Sequence, residues 1–77
     1  MCLAVPVKLV SKDGARGEIE LSGVRRRADL RLLPDAAPGQ YVLFHAGFAI
    51  QVVDETYYRE YWQLRNQFEE LKRAGQA

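Results

Sequence analysis

At Asp54 the hydrophobic pattern of the chain changes its period, and that change divides the molecule. Before it, apolar and polar residues alternate in short runs broken by glycine and proline. After it, Tyr57, Tyr61, Leu64, Phe68 and Leu71 recur at spacings of four, three, four and three. Period-two alternation turns one side of a strand inward, whereas recurrence near 3.6 residues lays one stripe along a helix. The sequence therefore predicts a mainly β unit over residues 1–53 and a C-terminal helix over residues 54–74. A chain of 77 residues has room for one core, so both parts are expected to form a single domain.

Within the β unit, Leu3, Val5, Val7 and Leu9 share one face of a strand running to Val10, with Ala4, Pro6 and Lys8 on the other. Pro6 has no N–H to give to a ladder, which places that part of the strand at a sheet edge or a bulge. Asp13-Gly14 predicts a type I′ hairpin turn, with Gly17 close behind. Glu18–Leu21 reads as a second strand, and Ser22-Gly23 turns it into a third that is predicted to run from Val24 to Leu33. One face of this third strand carries Arg25, Arg27 and Arg31 beside Asp29. The prolines and glycine of "PDAAPG" mark a loop. Tyr41–His45 and Phe48–Val53 follow as strands bent or broken at Ala46-Gly47. Five short strands joined by tight turns suggest a small closed or nearly closed barrel.

The helix carries its own end signals. Asp54 suits the N-cap, Glu55 the positive first turn, Lys72 and Arg73 the last turns, and Gly75 the stop. An apolar stripe of this kind ordinarily packs on a core, so it is expected to lie against the barrel. Tyr58 and Trp62 fall off the line of the stripe and are candidates for a docking surface.

Acidic and basic residues nearly cancel, to a formal charge of +1, so no strong overall field draws the chain to nucleic acid or membrane. Apolar runs are far shorter than the ~20 residues that span a bilayer. A lone cysteine forms no internal disulfide and no signal-peptide pattern opens the chain, so a reducing cytoplasm is the expected home. Familiar enzyme signatures, including a nucleophile elbow, a phosphate loop and HExxH, are absent, which points away from an enzyme. The Arg25-Arg26-Arg27 run invites a nucleic-acid reading, but the near-zero net charge and Asp29 favour a solvated strand face.

Two residues stand out as candidates for chemistry. Cys2, the only cysteine, follows the initiating methionine, whose removal would leave a free amine (pKa about 7.7–8.0) beside a thiol (about 8.5). Such a pair can act as nucleophile or chelate, and a soft thiolate favours copper(I), zinc or iron. The plain alternative is that Cys2 is an apolar filler. His45 is the only histidine and sits in apolar surroundings, which suits a structural residue as well as a metal or partner contact. Gly47, two positions on, is expected to let backbone or ligand come close. Together Cys2 and His45 supply two strong ligands, against the four of a closed zinc site, so any metal site built on them must be finished by another molecule.

"MCLAVP" at the start and "GQYVLFHAGFAIQVVDE" ahead of the helix resemble the HypC/HybG/HupF family of nickel-iron hydrogenase assembly chaperones, over the whole chain. The resemblance implies an OB-like β-barrel with a C-terminal helix. It implies a carrier, not a catalyst, that loses Met1 and holds iron through the thiol of Cys2 together with the scaffold protein HypD. The cargo would be the Fe(CN)2CO unit, delivered to the hydrogenase large-subunit precursor, with no nucleic acid or membrane involved. By the matching motifs Cys2 is the metal ligand and His45 a second functional position. Leu3, Ala4, Pro6, Gly47, Phe48, Tyr58 and Trp62 are the expected partner-binding residues. Where the family usually has glycine after MCLAIP this chain has Val7, which counts against a flexible hinge at that point.

Overall fold

The alternation at the start of the chain becomes strand β1 (Val5–Asp13) in a computed structural model that describes residues 4–75. Val7 and Leu9 of β1 are fully buried, and Val5 packs against them from the rim. Through Gly14-Ala15 the chain enters β2 (Arg16–Leu21), and through Ser22-Gly23 it enters β3 (Val24–Asp29). An irregular segment, residues 30–40, leads to β4 (Tyr41–His45), which turns at Ala46-Gly47 into β5 (Phe48–Val53). Helix α1 (Glu55–Gly75) ends the described chain. The strands close in the order β1-β2-β3-β5-β4, with β4 returning to β1. This is an OB-like barrel with one C-terminal helix, as the period change at Asp54 predicts.

The barrel is filled by small and branched side chains from every strand: Val7, Leu9, Ile19, Ala28, Val42 and Ala49, joined by Leu30 and Ala36 from the segment after β3. Among the described residues no polar or charged side chain is buried. Gly17 is needed for this packing, because a Cβ there would stand 2.6 Å from the Ser11 carbonyl oxygen and 2.8 Å from a Leu30 methyl. Closure between β3 and β5 is brief: one parallel pair, Asp29↔Phe48, and a 2.8 Å hydrogen bond from the Asp29 N–H to the Gly47 carbonyl.

Three local expectations need correction. The first hairpin turns one residue later than predicted, because Asp13 still pairs with Arg16. Of the two turn residues only Gly14 has positive φ, which is the type II′ pattern instead of type I′. The third strand stops at Asp29, not Leu33. The Asp29 carboxylate accepts the Arg31 N–H at 2.9 Å and the Leu33 N–H reaches back to the Leu30 carbonyl at 2.9 Å, so the chain turns. Leu30 stays in the core while Leu32 is 57% exposed. Lys12 secures the following loop by donating to the Pro34 carbonyl and, at 2.9 Å, to that of Ala36.

The third correction concerns the helix. Asp54 caps it as predicted, accepting the Tyr57 N–H at 2.8 Å. The residues that dock it, however, are Tyr58 and Trp62. Tyr58 stacks on Tyr41 at 4.2 Å, and the Trp62 indole N–H donates to the Pro6 carbonyl at 2.9 Å. The predicted core stripe faces away: Leu64 is 68% and Phe68 66% exposed. Tyr61 is half-buried edge-on to Trp62, and the side chain of Leu71 lies outside the described residues. Period reveals that a stripe exists. What covers it depends on where a strand has a free carbonyl for an indole to meet. No helix among the described residues is long and apolar enough to cross a membrane.

The β4–β5 turn has φ of 52° at Ala46 and 88° at Gly47, so it is a type I′ turn with an alanine in the left-handed region. Asparagine adopts that region more readily, and Ala46→Asn should stabilise the fold by about 0.5–1 kcal/mol, a rise of several degrees in Tm. Gly47→Ala should destabilise by about 1 kcal/mol or more, although its Cβ would meet no atom within 4 Å. Thermal melts of both variants test this. An unchanged Tm for Gly47→Ala would contradict the turn geometry.

Candidate functional site

β1 and β4 meet in antiparallel register, Val5↔Phe44, Pro6↔Leu43, Val7↔Val42 and Lys8↔Tyr41. One step further out along the same register come Ala4 and His45, both half-buried, so the beginning of β1 and the end of β4 share a rim. The sequence expectation places Cys2 and His45 on one rim. The structure places Ala4 and His45 there, while Cys2 and Leu3 lie outside the described residues. Val7 is fully buried and paired in the ladder, so it is a core residue and no hinge.

His45 also opens the β4–β5 turn, where it pairs with Phe48. Paired residues share a face of the sheet, which sets Phe48, 37% exposed, beside His45 on the outside of the barrel. Gly47 is exposed in the turn. Its φ of 88° favours glycine, and no other part of the described chain comes within 4 Å of where a Cβ would stand.

On the other edge of β1 the ladder to β2 starts only at Lys8↔Glu20. The two strands part before that point, as the proline in β1 predicts, and a groove of about 600 Å³ opens between Val5, Leu21 and Ser22 on the barrel and Tyr58, Trp62 and Arg65 on the helix. Beside the groove, Pro6 has its ring fully buried and its carbonyl taken by Trp62. The first visitor to the open edge is thus the chain's own helix. Arg65 lies 5.4 Å from the Trp62 ring, one helical turn on, a spacing that could have flagged it from the sequence. Nothing in the sequence marks Leu21 or Ser22, which reach the groove only because the β1–β2 ladder stops at Lys8↔Glu20 and leaves the end of β2 unpaired with β1.

Two of the three arginines in the run, Arg25 and Arg27, face acids across the ladder, while Arg26 lies opposite Ile19. On the outer face of β2 and β3 the cross-strand partners are Arg16↔Asp29, Glu18↔Arg27 and Glu20↔Arg25, opposite charges in every case. Arg25 also reaches Glu18 at 3.5 Å, an exposed pair of little energetic weight. Among the described residues no three His, Cys, Asp or Glu side chains come together in a way that could hold a metal ion.

The Tyr58 hydroxyl has its pKa raised above the usual tyrosine range, first by burial, then by the neighbouring Tyr41 phenol and the Glu20 carboxylate. Folding thus favours the neutral phenol. This contribution is whole below the unfolded tyrosine value near pH 10 and is lost as pH rises through the higher folded value. Tyr58→Phe should accordingly show a shallower fall of Tm between about pH 9.5 and 11 than the parent chain. Parallel melts across that window check it, and identical slopes would contradict it.

Comparison with known proteins adds independent information. The profile of the HupF/HypC family matches residues 1–65. The hydrogenase maturation factor HypC of Cupriavidus necator is 46% identical over 55 residues, covering 70% of this chain but only 61% of that protein, less than two thirds of its length. HypC of Azotobacter chroococcum is 35% identical over 78 residues, covering 100% of this chain and 93% of its own. HypC of Escherichia coli K12 is 35% identical over 66 residues, covering 78% and 73%. The matched span takes in the N-terminal motif, the His45 rim and both aromatic anchors of the helix, and on that match the chain belongs to the HupF/HypC family.

Proposed function

We propose that this protein is a hydrogenase maturation chaperone that holds iron jointly with the scaffold protein HypD through Cys2. It then passes the Fe(CN)2CO unit to the nickel-iron hydrogenase large-subunit precursor, in the cytoplasm. Family membership supports the general role. The observation that carries the finer reading is the β1–β4 register, which sets Ala4 beside the end of β4 where His45 stands. Two residues of chain span at most about 7 Å, so Cys2 is tethered within that distance of Ala4.

The chemistry agrees with the donor inventory. The chain has one cysteine and one histidine, too few to enclose a metal by themselves. Iron already carrying cyanide and carbon monoxide needs few further ligands, and one thiolate from each of two proteins can complete its hold. Thiolate is also a suitable donor for such a centre. A hold this open lets go readily, which a carrier requires and a four-ligand cage resists. In this reading the side chains bind, orient and release, and they make or break no covalent bond in a substrate.

The partner contacts fall around the same rim. Leu3 and Ala4 follow Cys2 in sequence, and Gly47 and the exposed Phe48 stand by His45. Tyr58 and Trp62 contribute as walls of the adjoining groove and not as a free-standing aromatic face. His45 serves either as a second ligand or as a hydrogen-bond donor to the partner or to a cyanide.

Intact mass of the purified protein should show Met1 removed and Cys2 free. Co-purification with HypD through a C-terminal tag should be lost in Cys2→Ala while Tm stays unchanged, because no other thiolate exists in the chain. His45→Ala should weaken complex formation or iron transfer by about tenfold, the lower range for a residue supporting a metal site. Normal maturation by Cys2→Ala would overturn the proposal. A drop in Tm large enough to explain the His45 loss would return that residue to a structural role.

A further inference from the structure

We infer that Trp62 is a positioning residue for Cys2: by fixing the Pro6 carbonyl, its indole N–H holds the start of β1, to which Cys2 is joined through the chain. The inference rests on the preceding reading of Cys2 as the iron-holding residue.

Between Val5 and Val7, β1 is paired along one edge only. β4 holds that edge, while the ladder to β2 begins at Lys8. A strand end held along one edge opens more easily than the interior of a sheet. Pro6 aggravates the problem, because it has no N–H and can be tied on its second edge only through its carbonyl. That carbonyl sits above a fully buried ring, where an unmet acceptor is costly. Indole N–H is a donor with no competing acceptor of its own, and Trp62 supplies it at 2.9 Å.

Trp62 is itself held in place. Tyr61 meets it edge-on at 5.2 Å, Tyr58 lies 6.4 Å away, and Arg65 covers its ring at 5.4 Å. Tyr58 in turn stacks on Tyr41 of β4. The helix thus reaches β4 through Tyr58 and β1 through Trp62. It staples, from outside the barrel, the same two strands whose ends bring Ala4 and His45 to one rim.

The consequence for Cys2 is one of volume. With Pro6 fixed, four residues of chain bound the Cys2 Cα to within about 14 Å of that point. With Pro6 released, the nearest fixed point moves inward along β1 and that covalent bound widens. Joining a site shared between two proteins then costs more conformational freedom, and affinity falls with it.

Trp62→Phe keeps an aromatic ring and removes the donor. Ile19→Val, a core change away from the latch, serves as a control for general loss of stability. Native-state amide exchange should become at least about tenfold faster at Val5 and Val7 in Trp62→Phe, with Ile19 and Ala28 of the β2–β3 ladder no more affected than in the control. Affinity for the scaffold protein should fall about fivefold to tenfold in Trp62→Phe, while the control stays within about twofold of the parent. Unchanged exchange at Val5 and Val7, or an equal loss of affinity in the control, overturns the positioning role. Cys2→Ala, measured alongside, separates the two claims. If it fails to bind while Trp62→Phe binds normally, only the role of Trp62 falls; if Cys2→Ala itself binds normally, the cysteine reading falls, and the proposal with it.

Discussion

The β1–β4 ladder is the seam on which the rest of the molecule depends. It joins strands far apart in sequence, and without it the remaining elements are an open sheet with a helix beside it. Its four pairs also decide what stands together at the rim, because antiparallel register fixes the partner of every residue along both strands. Val7 and Val42 face the core from this seam, and Pro6 and Leu43 form its outer face. A slip of one residue would exchange those faces, exposing Val7 and burying Lys8. The same register that keeps the core apolar therefore brings Ala4 level with His45.

A barrel this small has little surplus burial, and its sequence reflects that. The interior holds no polar group among the described residues, and three of the eight core residues are alanines that let strands approach closely. Gly17 belongs to the same economy of space. β3 and β5 meet at a single pair, so the segment after β3 completes the wall, with Leu30 and Ala36 inserted and Lys12 holding its carbonyls. Closure by a pinned loop explains why this stretch carries core residues although it has no regular structure.

Much of this was legible in the sequence, for reasons particular to each element. Alternation at Val5, Val7 and Leu9 specified β1 and its inward face, Ser22-Gly23 and Ala46-Gly47 specified two turns, and Asp54 specified the helix cap. Pro6 specified an open edge. The misreadings have two causes, a local side-chain capture and a distant partner. Arg31 and Leu33 keep the alternation of a strand, yet Asp29 captures the Arg31 N–H and ends it. The helical stripe was expected to meet the barrel, but docking was decided by Tyr58 finding Tyr41 and Trp62 finding Pro6, contacts that no spacing within the helix encodes. At the candidate site, His45 and its glycine turn could be picked out locally, whereas the groove beside them arises because the β1–β2 ladder stops at Lys8↔Glu20.

The proposed carrier role brings a conflict that catalysis does not, since every contact strengthening the hold on cargo slows its release. One resolution is to leave the hold chemically weak and to supply order mechanically. On that proposal the single thiolate of Cys2 is a weak hold. Order then has to come from the nearest rigid point, which here is the start of β1, with β4 on one edge and the Trp62 indole on the other. Rigidity placed several residues from the donor narrows the space it searches without adding a ligand. It therefore lowers the entropic cost of joining a shared site and leaves the metal bonds to be broken no more numerous than before. The helix, with Leu64 and Phe68 exposed, is anchored through that same indole. Whatever shifts the helix on the barrel thus also shifts the start of β1, the base proposed for positioning Cys2.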